Sequence, residues 1–159
     1  MTKGHRQTIN DFFVNVFNKI LLYEEQAMGK AGCRDLSMRE IHVLEAVEGL
    51  EREKKNSMSR IAGRLSISVG SLTTSMNVLV RKGYVERESS MKDRRIVYAC
   101  LTPKGRLAAK KHSRFHRQMV ESLEQSLNEE EWDALTRALR TLETFFCTSG
   151  EKGAEKKNL

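Results

Sequence analysis

Apolar residues between Thr8 and Met28 include Ile9, Phe12, Phe13, Val16, Phe17, Ile20 and Leu21, so that each of the first five is followed by another three or four positions on. That period lays a wide apolar stripe on one helix, ended by Gly29 and Gly32. The next helix starts at Ser37, where Ser37 and Glu40 form an S-x-x-E capping box. Met38, Ile41, Leu44 and Val47 make its buried side, and "EGLEREKKNS" reads as a polar connection. Ser57 caps a short helix with Met58, Ile61, Ala62 and Leu65 on one face. Only Ser66 and Ile67 precede Ser68, the cap of a helix running to about Lys82. Val69, Leu72, Met76, Leu79 and Val80 form its apolar side, and Gly83 ends it. "YVER" and "RIVYACL" alternate as two strands joined by "SSMKDRRIVY". Thr102 and Pro103 open a long helix through Phe115, Met119 and Leu123 to about Leu127. Asn128 and Glu131 repeat the capping pattern before a last helix. There Trp132, Leu135, Leu139, Leu142 and Phe146 alternate in the 3-4 rhythm of a heptad seam. Residues 150–159 have nothing to bury and are expected to be a disordered tail.

The predicted architecture is therefore mainly α with a small β-hairpin wing: a winged helix-turn-helix over residues 37–101, flanked by helices in 1–36 and 102–149. In a helix-turn-helix the second helix enters the major groove. Its outward face here is Gly70, Ser71, Thr74, Asn77, Val78 and Arg81, with Ser68 and Thr73 beside it. An ordinary solvated face carries Glu and Lys. Ser, Thr and Gly are weaker helix formers, so their presence on the wet side points to use. Small residues permit close approach to base edges, and Asn and Arg make bidentate contacts there. The hairpin adds Arg87, Lys92, Asp93, Arg94 and Arg95. One of the paired arginines suits a narrow minor groove and the other a phosphate, with Asp93 orienting one of them.

Charge sharpens this picture. The 159-residue chain has a formal charge of +7, distributed unevenly. From Arg81 to Arg117 there are 12 Lys and Arg against 3 Asp and Glu, a local net of +9; the rest of the chain nets −2. A localised excess of this kind suits a polyanionic partner. No apolar run reaches the roughly 18 residues of a membrane span, and no signal-peptide pattern opens the chain, so a cytoplasmic protein without membrane contact is expected. Cys33, Cys100 and Cys147 are odd in number and widely spaced, against a disulfide framework. No phosphate loop, catalytic carboxylate pair or nucleophile elbow is present, so no enzyme is expected.

The stretch Val78 to Arg106 resembles the wing region of MarR-type transcriptional regulators, through Gly83, Asp93, Arg94, Arg95, Leu101, Thr102 and Gly105. The resemblance extends over about Thr8 to Phe146. It implies a homodimer with intertwined first and last helices and two lobes reading a pseudo-palindromic operator in double-stranded DNA. "FFVNVFNKILLYEE", "SVGSLTTSMNVLVRKGYVER" and "KKHSRFHRQMVESL" are most similar to the FabT-type branch. That branch implies repression of fatty-acid-biosynthesis genes with long-chain acyl-acyl carrier protein as co-repressor. Lys110, Arg114 and Arg117, with Lys104, Arg106 and Lys111 beside them, are then candidates to meet the acidic carrier protein. An effector pocket in such proteins draws attention to Phe13, Phe17, Met38, Ile41, His42, Phe115 and Met119, each of which could equally be core. An acyl-chain effector and no cofactor are expected. The alternatives are a small aromatic or lipophilic ligand, or a thiol or metal sensor. Cys33 would serve the first kind of sensor. His112 and His116 share a helix face at i, i+4, but no third ligand is evident beside them, so no metal is expected.

Overall fold

The computed structural model describes the backbone of residues 3–155 and the side chains of residues 4–145. The chain forms two units, residues 1–116 and 117–159. The first unit opens with α1 (Lys3–Asp11), a π-helical turn (Phe12–Val16) and α2 (Phe17–Lys30). The expected single helix is thus interrupted. A π turn inserts a residue into the α ladder and rotates the apolar stripe out of its expected line. Ile9, Phe12, Phe13 and Phe17 stand exposed in the single chain, whereas Glu24 and Met28 are buried.

Helix α3 (Met38–Arg52) begins at the predicted capping box. The Glu40 amide donates to the Ser37 hydroxyl at 3.3 Å, and the Ser37 amide donates to the Glu40 carboxylate at 2.7 Å. It continues through Arg52, so half of the expected polar connection is helical. Leu50 in that segment is buried with Ile41, Val43, Leu44, Ala46 and Val47. Helix α4 (Met58–Arg64) starts after Ser57, whose hydroxyl makes no cap bond and lies 3.4 Å from the Ser59 hydroxyl. The Ser57 backbone instead forms a bridge with Tyr98. Ser66, at φ 53°, turns the chain into α5 (Val69–Arg81). Here the Ser68 hydroxyl does cap, accepting from the Ser71 amide at 3.1 Å. Leu72, Met76 and Leu79 are wholly buried, but Val69 is 48% and Val80 38% exposed. The buried seam of α5 is narrower than its apolar content suggested, because α3 and α4 meet it along one line at i, i+4, i+7.

Strands β1 (Val85–Ser89) and β2 (Val97–Leu101) pair antiparallel, with Val85 opposite Leu101 and Ser89 opposite Val97. Next to the Ser57–Tyr98 bridge, Asn56 ties the same segment to β2. Its carbonyl accepts from the Ala99 amide at 3.0 Å, and its buried side-chain amide donates to the Ala99 carbonyl at 2.9 Å. The L-T-x-x-G segment then joins hairpin to helix α6 (Pro103–Glu124). The Thr102 hydroxyl donates to the Gly83 carbonyl at 2.7 Å and accepts from the Gly105 amide at 3.1 Å. Gly105 packs on the Tyr84 carbonyl so closely that a Cβ would overlap its oxygen. Gly83 itself sits at φ +75°, where side chains are strained.

In the second unit α7 (Glu129–Glu155) carries the second predicted box. The Asn128 amide donates to the Glu131 carboxylate at 2.9 Å, and the Glu131 amide to the Asn128 side-chain oxygen at 3.0 Å. The helix passes the expected start of a tail at residue 150 and runs to Glu155; the remainder of that tail, residues 156–159, lies outside the described residues. Trp132, Leu135 and Leu142 are half-buried and Leu139 is exposed; the Phe146 side chain is outside the described residues. Among the described residues no helix is long and apolar enough to cross a membrane.

Candidate nucleic-acid interface

The outward side of α5 carries Ser68, Gly70, Ser71, Thr74, Asn77 and Arg81, all exposed, with Thr73 and Val78 half-buried beside them. The Thr73 hydroxyl donates to the Val69 carbonyl at 2.8 Å and the Thr74 hydroxyl to the Gly70 carbonyl at 3.3 Å. These local bonds leave hydroxyl lone pairs facing outward. Thr74, Asn77, Val78, Val80 and Arg81 line a shallow concavity of about 500 Å³. Val80, read from the sequence as part of the apolar side, lines this concavity, and Val69 is likewise exposed.

The hairpin tip has an internal order of its own. The Ser90 hydroxyl accepts from the amides of Lys92 and Asp93 at 3.2 and 3.3 Å, and the Ile96 amide donates to the Asp93 carbonyl at 2.9 Å. Asp93 takes three bonds from Arg95: its amide, Nε and Nη2, each at 3.0 Å. Arg95 is the arginine that Asp93 orients. Its guanidinium holds the Asp93 carboxyl below the usual carboxylate range. The Arg95 side chain remains 91% exposed. Arg94 and Arg87 are exposed and have no side-chain partner among the described residues, and Lys92 extends from the same loop.

Much of the basic excess is consumed by the fold. Lys82 at the end of α5 donates to the Asp35 carbonyl and to both Glu40 oxygens, at 3.0 and 2.9 Å. Lys104 donates to the Lys82 carbonyl at 2.9 Å and lies 3.9 Å from the centre of the Tyr84 ring. The Tyr84 hydroxyl donates to Asp35 at 2.8 Å, which holds the Asp35 carboxyl low; burial and Asp35 together push the Tyr84 phenol up. Arg106 makes a two-pronged pair with Glu51, each bond 2.8 Å, and Lys111 donates to the Ala31 carbonyl. Lys110, Arg114 and, in the second unit, Arg117 are exposed and have no such partners among the described residues. Sequence reading missed these pairings because they join residues from 20 to 80 positions apart.

The seven residues weighed as pocket lining occupy different settings. Phe13 and Phe17 are exposed, and Ile41 is wholly buried in the core of the first unit. His42, Phe115 and, in the second unit, Met119 are half-buried. Met38 borders a cavity of about 170 Å³ together with Met28, Cys33 and Leu36. Cys33 is buried, burial pushes the Cys100 thiol up, and the Cys147 side chain is outside the described residues.

A short helix, a tight turn, a second helix and an arginine-tipped hairpin define a winged-helix DNA-binding protein. Residues 43–120 match the family described as "Winged helix DNA-binding domain". No curated protein sequence matches the chain. Among solved structures, the Streptococcus pneumoniae FabT structure in complex with DNA is 36% identical, with a TM-score of 0.79; the match covers 89% of this chain and 96% of that one. The Staphylococcus aureus MepR–DNA complex is 20% identical, with a TM-score of 0.66, covering 84% and 97%. Staphylococcus aureus MarR in complex with salicylate and kanamycin is 13% identical, with a TM-score of 0.70, covering 92% and 95%, which shows the shared fold. The chain belongs to the MarR family, with FabT-like character, and is a DNA-binding transcriptional regulator, not an enzyme.

Proposed function

We propose that the chain acts as a homodimeric repressor of fatty-acid-biosynthesis genes, with long-chain acyl-acyl carrier protein as co-repressor. The observation that carries this reading is the 36% identity to FabT, a protein seen bound to DNA, over nearly the whole of both chains. Two lobes related by a twofold axis would read a pseudo-palindromic operator. In each, Ser68, Gly70, Ser71, Thr73, Thr74, Asn77 and Arg81 face the major groove, and the wing carries Arg87, Lys92, Arg94 and Arg95. Arg95, already held by Asp93, enters the minor groove, where a guanidinium fixed in advance gives up less freedom on binding. Arg94, which has no side-chain partner among the described residues, takes a phosphate. The exposed apolar stripe running from Ile9 through the π-helical turn into α2 supports the dimer, since monomers rarely leave such a surface open. Lys110, Arg114 and Arg117 support the carrier-protein contact, because the other basic residues of α6 are engaged within the chain.

The test is a gel-shift titration on DNA from upstream of the chain's own gene. Apo, carrier-protein-only and long-chain acyl-carrier-protein arms are run at fixed salt, because phosphate contacts make affinity salt-dependent. Tighter binding in the acylated arm alone is expected. Equal binding in all three arms removes the co-repressor, and failure to prefer this DNA over random duplex removes the operator assignment.

A further inference from the structure

Met91 is the odd side chain of the wing. Its relative exposure is 101%, in a loop whose next residues are Lys92, Asp93, Arg94 and Arg95. Every other methionine among the described residues is covered at least in part. Met28 and Met76 are buried, and Met38, Met58 and, in the second unit, Met119 are half-buried. The other exposed large apolar residues of the 37–101 lobe, Val69, Val80 and Ile96, are only 48%, 38% and 39% exposed. Met91 alone gives up all the burial a thioether can gain from folding.

The backbone beneath it is nonetheless ordered. The Ser90 hydroxyl accepts from the amides of Lys92 and Asp93, on the far side of Met91. The Ser90 amide donates to the Ile96 carbonyl at 2.9 Å, and the Ile96 amide to the Asp93 carbonyl at 2.9 Å. Arg95 folds back onto the Asp93 carboxylate. Bonds on both sides of Met91 fix its Cα while its side chain stands clear. A fixed backbone that presents an unsupported apolar group is preorganised for a surface outside the chain.

Charge names that surface. Lys92 and Arg94 stand beside Met91 and Arg87 lies on β1, all exposed, and neither arginine has a side-chain partner among the described residues. A polyanion meets these cations first. The minor groove of a duplex is about 6 Å wide, which admits a narrow, unbranched and adaptable side chain. Apolar wedges, methionine among them, lean into base steps from that groove and partly unstack them. Pyrimidine–purine steps yield most easily.

We propose that Met91 is a specificity residue of the wing, pressing into the minor groove at a deformable base step. It selects TA or CA/TG there without a hydrogen bond to any base. The inference rests on the wing reading DNA as proposed above. Arg95 supplies charge at this site, and Met91 senses how readily the duplex opens.

Duplexes are selected from a random pool by the full chain and by its Met91→Ala and Met91→Leu variants. The wild type should enrich a TA or CA/TG step on the outer flank of each half-site. Met91→Ala should lose that step, keep the inner bases and bend the wild-type consensus less in end-to-end fluorescence transfer. Its affinity for that consensus should fall about tenfold, as expected for re-exposing roughly half of a methionine side chain. Met91→Leu keeps the apolar bulk and should keep the step. Both variants should melt with the wild type, because Met91 has no burial to lose, and this separates an effect on DNA from one on folding. A Met91→Ala chain that still selects the flanking step, or binds and bends the consensus like the wild type, would overturn the proposal. So would a loss of affinity equal for duplexes with TA and with stiff A-tract flanks. A wild-type chain that enriches no sequence at all removes the operator reading itself, and the role of Met91 with it.

Discussion

Gly105→Ala tests the joint between the wing and helix α6. A methyl group at this position overlaps the Tyr84 carbonyl oxygen and lies 3.1 Å from its carbon and 3.4 Å from Leu101 Cδ2. The obstacle is backbone, so it cannot swing aside. Either α6 lifts or the Gly83–Tyr84 segment moves. Three hydrogen bonds span that joint: Thr102 amide to Tyr84, Thr102 hydroxyl to Gly83, and Lys104 to Lys82. Overpacking costs about 1–3 kcal/mol, and each bond lost adds roughly 0.5–1.5 kcal/mol. Replacing a helical Gly returns up to about 1 kcal/mol. A net loss of about 1.5–6.5 kcal/mol follows if the joint opens and all three bonds are lost, or roughly 3–26 °C in melting temperature at about 2–4 °C per kcal/mol. Gly63→Ala in α4 is the control, since nothing lies within 4 Å of the added atom, and it should melt slightly higher than wild type. Urea and thermal unfolding of both variants decide the matter. A Gly105→Ala chain as stable as Gly63→Ala would refute the close approach and the explanation of the L-T-x-x-G motif built on it.

At the wing, Arg95→Ala should weaken binding to all duplexes by roughly 1–3 kcal/mol, the value of one charged contact. Asp93→Asn should weaken it less while changing the protein's melting temperature little; filter binding that leaves both unchanged removes the wing contact. Asn77→Ala should relax the preference among operator variants with one substituted base pair, and unaltered selectivity would take Asn77 out of base readout. Asn56→Ala deprives the Ala99 carbonyl of a buried donor, so a destabilisation of about 1–3 kcal/mol is expected in urea unfolding. For pH, burial opposes the charge on Glu40, but the Ser37 amide and Lys82 ammonium outweigh it and hold its carboxyl low. A depressed carboxylate contributes stability above its unfolded value and loses it as pH falls through the folded one. Glu40→Gln should therefore flatten the decline of the urea midpoint below about pH 4.5, the ordinary range for Glu; an unchanged slope would remove Glu40 from the acid response.

Local chemistry was the legible part of this chain. Ser37 with Glu40, Ser68, and Asn128 with Glu131 act within one helical turn, so their caps could be read from spacing alone. The exposure of the polar face of α5 was legible for a related reason: Gly70, Ser71 and Asn77 alternate with the apolar seam at helical spacing, and the structure leaves all three exposed. Ser57 misled, because its backbone is committed to the bridge with Tyr98, 41 positions away, and its hydroxyl does not cap. Val69 and Val80 misled because hydrophobicity does not say how wide a groove the neighbouring helices offer. The histidines were visible as a pair, but their carboxylate partner, Glu24, lies 88 residues from His112. No period or motif reports a meeting of that kind.

The Lys82 ammonium has a mechanical consequence. The residue caps the end of α5, the helix proposed to read DNA, yet its ammonium is gripped by the carbonyl of Asp35 and the carboxylate of Glu40, at the threshold of α3. Lys104 holds the same residue's carbonyl from the other side. Any signal that displaces the 33–37 segment must break a charged clasp or swing the reading helix with it. On the proposed reading, operator affinity can thus be throttled through the 33–37 segment rather than through the reading face itself.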